Sequence, residues 1–106
     1  MSEWADKQTP ETQKIEKLLK KLFPNHPEDF PPTAYRYNSA SIRVRVVDES
    51  FKGKSRSERE KVVLPALRTL TEKTQSDITV LLLLAPDETD RSMMNFEFDH
   101  PTPSRL

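Results

Sequence analysis

The chain has 106 residues, with 17 basic and 17 acidic side chains and no cysteine. This length suits one domain with a core of its own, and the lack of cysteine excludes disulfides, thiolate metal sites and thiol nucleophiles. The balanced charge gives no overall attraction to nucleic acid or anionic lipid, and no apolar run has the length of a secretory signal or a membrane span. We therefore expect a single cytoplasmic domain that does not enter a membrane.

The first third of the chain predicts a flexible tail followed by one amphipathic helix. Residues 1–8 are mostly polar, so we expect them to be loose. Thr9 can cap a helix and Pro10 suits its first position. Apolar residues then recur at helical spacing, at Ile15, Leu18, Leu19 and Leu22. Pro24 ends the pattern, and the four prolines of residues 24–32 predict a stiff, extended connection.

Two strands are predicted next, over residues 33–37 and 40–47, with Asn38-Ser39 as a two-residue hairpin loop. This loop would place Tyr37 opposite Ala40 and Tyr35 opposite Ile42. Because side chains alternate across a strand, the register predicts two faces. The apolar face holds Tyr35, Tyr37, Ile42, Val44 and Val46, and the basic face holds Arg36, Arg43 and Arg45.

Gly53 is the only glycine of the chain and lies between the second strand and the next helix. We expect it at a positive-φ turn or a close backbone approach, where no other residue fits. A helix is predicted from Ser55 to about residue 73, because Ser55 and Glu58 have capping-box spacing. Its buried stripe is predicted at Val63, Ala66, Leu67 and Leu70. Pro65 predicts a kink or break near residues 62–64.

Residues 78–85 are apolar at nearly every position and predict a short strand buried on both faces. The connection from the second strand through helix to this third strand requires a right-handed crossover and parallel pairing. The predicted fold class is α+β with two layers, in which helices cover one face of a small mixed three-stranded sheet. The other face would carry the three arginines beside Leu81 and Leu83, and such a face is expected to be covered.

The C-terminal part, residues 87–106, is predicted to extend a domain formed by residues 9–86 and to dock partly on its sheet. Apolar and polar residues alternate within residues 93–98, so this segment predicts an edge strand or a docked tail. It could cover Leu81 and Leu83 or join a partner or a second subunit. The proline-rich residues 101–104 predict a free extended end.

The residues offer no catalytic constellation. Gly53-Lys54-Ser55 follows a strand and opens a helix, as in a phosphate-binding loop, but that loop needs a second glycine where this chain has Asp48. His26 and His100 lie in separate proline-rich segments, without spacing to another metal ligand. No nucleophile is paired with a base. We therefore predict a non-enzymatic protein with no cofactor and no metal.

Residues 42–60, followed by a helix and the strand at residues 78–84, resemble the centre of BolA-like proteins. In that family a strand leads to a phenylalanine, a glycine turn and a helix that begins with a Glu-Arg-His element. Here the matching residues are Phe51, Gly53 and Glu58-Arg59. The resemblance extends in element order over residues 12–86. It implies the BolA-like fold, a relative of the class II KH fold, with the order α-β-β-α-α-β.

The chain departs from the BolA-like pattern at the metal ligands. Glu60 stands where the family has its histidine, and the loop that would supply the second ligand is only Asn38-Ser39. A carboxylate is a poor substitute for imidazole or thiolate at an iron–sulfur centre. We therefore expect no cluster shared with a monothiol glutaredoxin.

Two functions remain open. The first is a regulatory or interaction adaptor that contacts a protein partner, as a monomer or a weak homodimer. The second is KH-like binding of single-stranded nucleic acid, with Gly53-Lys54-Ser55-Arg56 as a counterpart of the Gly-x-x-Gly loop that carries one glycine of two. Both functions would use the same predicted contact residues: Lys52, Gly53, Lys54, Ser55, Arg56 and Arg59, with Arg43 and Arg45 as a second surface.

Overall fold

The structure, a computed structural model, describes residues 7–104. Most of the predicted flexible tail, residues 1–6, lies outside the described residues. The elements are α1 (Pro10–Leu22), β1 (Thr33–Asn38), β2 (Ser41–Val47), α2 (Arg56–Leu67), α3 (Glu72–Asp77), β3 (Ile78–Leu84) and α4 (Met93–Asp99), with 3₁₀ turns at Glu49–Phe51 and Pro86–Glu88. The predicted α+β class with a small mixed sheet is confirmed. None of the helices in the described part is long and apolar enough to cross a membrane.

Helix α1 begins as its sequence predicts. Thr9 is the N-cap, and its side chain accepts a hydrogen bond from the amide of Thr12. Ile15 and Leu19 are fully buried on the apolar face of α1. The two residues before the cap are held on β1, since the Arg36 amide donates to the carbonyl of Lys7 at 3.1 Å and the Gln8 side chain donates to the carbonyl of Ala34 at 2.7 Å.

The sheet has the order β1-β2-β3, with β1 and β2 antiparallel and β2 and β3 parallel. The central strand is β2, and its last four residues, 44–47, are all buried. The prediction that β3 is buried on both faces is wrong, because β3 lies at an edge of the sheet and only Leu83 and Leu84 within it are buried. A run of apolar residues shows that a strand is hydrophobic. How much of the strand is buried depends on whether it lies in the centre or at an edge of the sheet.

The predicted hairpin register is wrong by one residue. Tyr35 lies opposite Arg43, and Arg36 lies opposite Ile42. The ladder is irregular between Arg36 and Asn38, and the Asn38 side chain accepts a hydrogen bond from the Ala40 amide at 2.9 Å. Because successive side chains alternate in direction, a slip of one residue exchanges the faces of one strand relative to the other. Tyr35 therefore shares a face with the arginines of β2.

The face of the sheet that packs on α1, α2 and α3 contains the main core. Its buried members include Ala34, Ile42, Val44, Val46 and Leu83, with Leu81 packed against them. The prediction that Leu81 and Leu83 lie beside the arginines is therefore wrong, since they pair with Val44 and Val46 on the helical side. Arg36 also points to this side, where it forms a 2.8 Å ion pair with Asp77 of α3.

Helix α2 starts with the predicted capping box, in which Ser55 accepts from the Glu58 amide and the Glu58 carboxylate accepts from the Ser55 amide. Of the kink or break predicted near residues 62–64, the break is wrong. Helix α2 continues to Leu67 with Pro65 inside it. The proline removes only a bond to the carbonyl of Lys61, and both residues are exposed, so water can satisfy that carbonyl.

Residues 93–98 form most of α4 and not an edge strand. Ser92 caps the helix by accepting from the Asn95 amide at 3.1 Å. The helical turn places Asn95 and Phe98 on one buried side, while Met93 and Phe96 are 88% and 69% exposed. The alternation of apolar and polar residues suggested a strand, in which every second side chain is buried. The segment is instead a helix, in which the buried positions lie three residues apart. Helix α4 covers the face of the sheet opposite α1.

Candidate interaction surface

The segment from Lys52 to Arg56 is exposed at every residue and leads from the 3₁₀ turn at Glu49–Phe51 into the start of α2. Gly53 has a φ of +76°, as its isolation in the sequence predicted. A Cβ built on Gly53 would have no atom within 4 Å. The backbone conformation, and not a close approach, is therefore what requires glycine here. Phe51 is fully buried directly before the turn and fixes it to the core.

Arg59 is not exposed like its neighbours but is 8% accessible. Its guanidinium donates to the carbonyls of Lys54 at 3.0 Å and Leu83 at 2.9 Å. It also donates to both carboxylate oxygens of Glu88, at 2.7 and 2.9 Å. These bonds join the Gly53 turn, the edge strand β3 and the turn at Pro86–Glu88. Arg59 is thus held in place within the protein, with 10% of its side chain exposed.

The bonds from Arg59 strongly perturb the carboxylate that receives them. The guanidinium of Arg59, followed by the Ala85 amide at 2.9 Å, lowers the pKa of Glu88 from 4.5 to about 2. Bidentate, charge-assisted bonds of this kind favour the ionised carboxylate. Glu88 therefore stays negatively charged in the folded protein at all physiological pH values.

Arg43 and Arg45 lie beneath α4. Arg43 donates to Glu97 at 2.8 Å, and Arg45 donates to Asp99 at 2.9 Å. Arg45 is 4% exposed and its guanidinium lies 4.6 Å from the centre of the Phe98 ring. The sequence placed these two arginines on a second contact surface, whereas the structure places them in an interface between the sheet and its own C-terminal helix.

Pairing within the molecule also changes the charge around the Gly53 turn. Residues 43–61 carry seven cations and four anions by sequence, an excess of three. Arg43, Arg45 and Arg59 are paired within the protein, and Asp48 is buried. The remaining cations are Lys52, Lys54, Arg56 and Lys61, against the anions Glu49, Glu58 and Glu60, so the excess falls from 7 − 4 = 3 to 4 − 3 = 1.

A groove follows the free edge of β3 and meets the Gly53 turn at one end. Its first part, of about 370 Å³, lies between α2 and β3 and includes Leu64, Leu67, Arg68 and Leu81 in its lining. Its second part, of about 530 Å³, lies on the other side of the strand, with Lys54, Val80, Leu82 and Met94 among its lining residues. Arg56 lines both parts. We call the groove together with residues 52–56 the interaction surface.

Sequence reasoning missed the contribution of β3, α2 and α4 to this surface. The run of leucines in β3 reads as a buried strand, and nothing local reveals that it lies at an edge. Thr79 is the one signal within the strand, since it is polar and exposed. Met94 could not be assigned either, because its position depends on α4 being a helix.

Neither histidine is placed with other metal ligands. His26 contacts the carbonyl of Pro27 through Nδ1 at 2.9 Å, and the His100 ring lies 4.8 Å from that of Phe96. Across residues 7–104, no group of three or more histidine, aspartate or glutamate side chains is arranged to hold a metal ion.

Comparison with known proteins adds no relative: no family model matches the chain, and a search of curated proteins finds no significant match. The resemblance of residues 42–60 to BolA-like proteins therefore stays a prediction.

Proposed function

We propose that this chain is a small, non-catalytic adaptor domain of BolA-like architecture that binds a protein partner through the interaction surface. The observation that carries the proposal is that the exposed turn at residues 52–56 ends directly at a groove lined by the apolar side chains of an edge strand. Apolar grooves with a few charged groups at the rim are typical of protein recognition. The element order up to β3, which is that of the implied BolA-like fold, supports the architectural part.

The charge of the surface favours a protein over nucleic acid. An excess of one positive charge around the turn neutralises few phosphates, whereas nucleic-acid binding draws most of its affinity from such contacts. Phe96, an exposed aromatic side chain, lies on α4 and not beside the turn. A base-stacking platform is therefore not part of the lining of the groove.

Single-stranded nucleic acid is kept as the second candidate because Lys52, Lys54 and Arg56 are all exposed on one short turn. If this function holds, oligonucleotide affinity must fall steeply with salt, and Lys54→Ala with Arg56→Ala must weaken binding for every sequence tested. No binding at low salt, or no effect of the double substitution, would exclude it.

Site-specific photo-crosslinking in living cells tests the proposed function. A photoreactive amino acid is placed at Lys54, and separately at Lys17, an exposed control position on α1. We expect a protein adduct that forms from position 54 and not from position 17. An adduct with nucleic acid would support the second candidate, and the absence of any adduct specific to position 54 would refute both.

The absence of cysteine suits a reducing compartment, so we propose the cytoplasm as the location of this protein. Recovery of the tagged chain in another cell fraction would contradict this proposal.

A further inference from the structure

The backbone of β3 has one side paired with β2 and one side free. The Asp48 amide donates to the Leu84 carbonyl at 3.0 Å, so the polar groups of Leu84 face the sheet. The Leu83 carbonyl instead accepts from Arg59, at 2.9 Å, and so faces away from β2. Because a strand alternates these directions residue by residue, the amide and carbonyl of Leu81 face away from the sheet as well. Within residues 7–104, no strand lies on that side of β3.

Arg59 limits how far this free edge extends. It occupies the Leu83 carbonyl and is itself held by Glu88, so a pairing strand cannot use that acceptor. The ladder is regular from Val80 onward, while the pairing of β3 with β2 is irregular before it. The free groups within the regular part are therefore the Leu81 amide, the Leu81 carbonyl and the Leu83 amide. Three groups in this order can pair with one short extended segment.

The two parts of the groove lie on the two faces of this edge. An added strand would direct alternate side chains to Leu64 and Leu67 on one face, and to Leu82 and Met94 on the other. Both sets of lining side chains are apolar, so apolar residues on either face of the added strand would remove further apolar surface from water.

The charges along the groove select the kind of segment. Lys54 lies near the end of β3, because Arg59 bonds both its carbonyl and that of Leu83. Arg56 lines both parts of the groove, and Arg68 lines the part that contains Ile78 at the start of β3, with Glu60 as the acidic member of the lining. The cations Lys54, Arg56 and Arg68 therefore exceed the anion Glu60 by 3 − 1 = 2, because Arg56 pairs with Glu60 at 3.4 Å while Lys54 and Arg68 form no ion pair within the described residues. Arg59 is not counted, since it is paired with Glu88. Antiparallel pairing of two copies of β3 would bring Arg68 of one copy toward Lys54 of the other. Like charges at both ends disfavour a second copy and favour an acidic segment.

We propose that the partner contributes a short, extended acidic segment, with apolar residues between its carboxylates, that pairs with β3 as a fourth strand of the sheet. This inference rests on the proposed function and specifies the partner's chemistry at the same surface. The main-chain ladder supplies affinity that an oligonucleotide cannot provide, and the cations at the ends of the groove select carboxylates.

The probe is a capped ten-residue peptide of alternating valine and glutamate, titrated into the full chain by calorimetry and by amide NMR. Two matched peptides are N-methylated, one at every valine and one at every glutamate, so that each loses the amides of one side of the strand. If the peptide pairs with β3, one methylated peptide binds at least about tenfold more weakly than the other, because only one side of a strand faces its neighbour. The Leu81 and Leu83 amides are expected to show slowed hydrogen exchange.

Equal binding of the two methylated peptides, no binding of the parent peptide, or protection at residues other than 81 and 83 would overturn the inference. Arg56→Glu together with Arg68→Glu should weaken the parent peptide about tenfold or more, whereas Lys17→Glu should leave its binding unchanged. A thymidine ten-mer that binds and displaces the peptide would favour nucleic acid. A protein adduct from position 54 without peptide binding would leave the proposed function intact and reject the fourth strand alone.

Discussion

The bond network of Arg59 and Glu88 allows a prediction of how the folding stability of this protein depends on pH. Glu88→Gln removes the negative charge and one of the two acceptors for Arg59, but it keeps an oxygen for the Ala85 amide. A pKa lowered from 4.5 to about 2 corresponds to at most about 3 kcal/mol of folding free energy. Because the Glu88 side chain is 32% exposed and water screens the pair, we expect a loss of about 1–2 kcal/mol at pH 7.

The sign of the pH dependence follows from the direction of the shift. The pKa of Glu88 is lower in the folded state, so its contribution is complete well above the unfolded pKa of 4.5 and is lost as the pH falls toward about 2. The difference in stability between the wild type and Glu88→Gln must therefore shrink on acidification. At pH 3, less than about half of the difference at pH 7 should remain.

Urea unfolding followed by far-UV circular dichroism measures this difference at pH 7, 4 and 3. Glu28→Gln is the matched control, because Glu28 is exposed and lies outside the network. The control should change the free energy of unfolding by less than about 0.5 kcal/mol at each pH. An equal cost of Glu88→Gln at pH 7 and pH 3 would refute the electrostatic account of this network. A control that behaves like Glu88→Gln would assign the effect to overall charge.

Three further substitutions test local features of the fold, each by its effect on the free energy of unfolding in urea. Gly53→Ala should cost about 1–2 kcal/mol, because the +76° φ strains a residue with a Cβ although no atom would clash with it, and an unchanged stability would show that the turn relaxes. Ser55→Ala should cost about 1 kcal/mol through loss of the α2 cap, and Ser55→Asp should restore it. Phe98→Ala should cost about 3–5 kcal/mol, because this buried ring packs at 4.8 Å on Tyr35, and a cost below about 1 kcal/mol would show that α4 is not part of the cooperative fold.

The register of the hairpin shows where reasoning along the chain fails. Both strands are recognisable from their composition, but Asn38 shifts the turn by one residue, and this small change reverses the face on which Tyr35 lies. The consequence is large because Tyr35 then packs beneath α4, where its hydroxyl donates to the Phe98 carbonyl at 2.8 Å. The observed register thus makes contacts with residues about sixty positions away, which no pattern within the hairpin shows.

The interaction surface also contains features that the sequence predicts and features that it does not. The exposure of residues 52–56 follows from a glycine turn flanked by charged residues, and it was predictable. The burial of Arg59 was not, because a charged residue in the first turn of a helix is commonly solvated, and its partner Glu88 lies beyond the next strand. Arg43 and Arg45 were likewise assigned to a second contact surface, because the acidic residues that pair with them lie on α4, far along the chain.

The amino-acid sequence by itself determined the features that depend on neighbouring residues. These are the cap of α1 at Thr9, the positive φ of Gly53 and the capping box of Ser55 with Glu58. Their free energies arise within a few bonds along the backbone, so a short window of sequence contains both partners. The tertiary structure alone decided the edge position of β3, the hairpin register and the pairing of the arginines. Each of these depends on contacts between distant segments, whose energies no local pattern records.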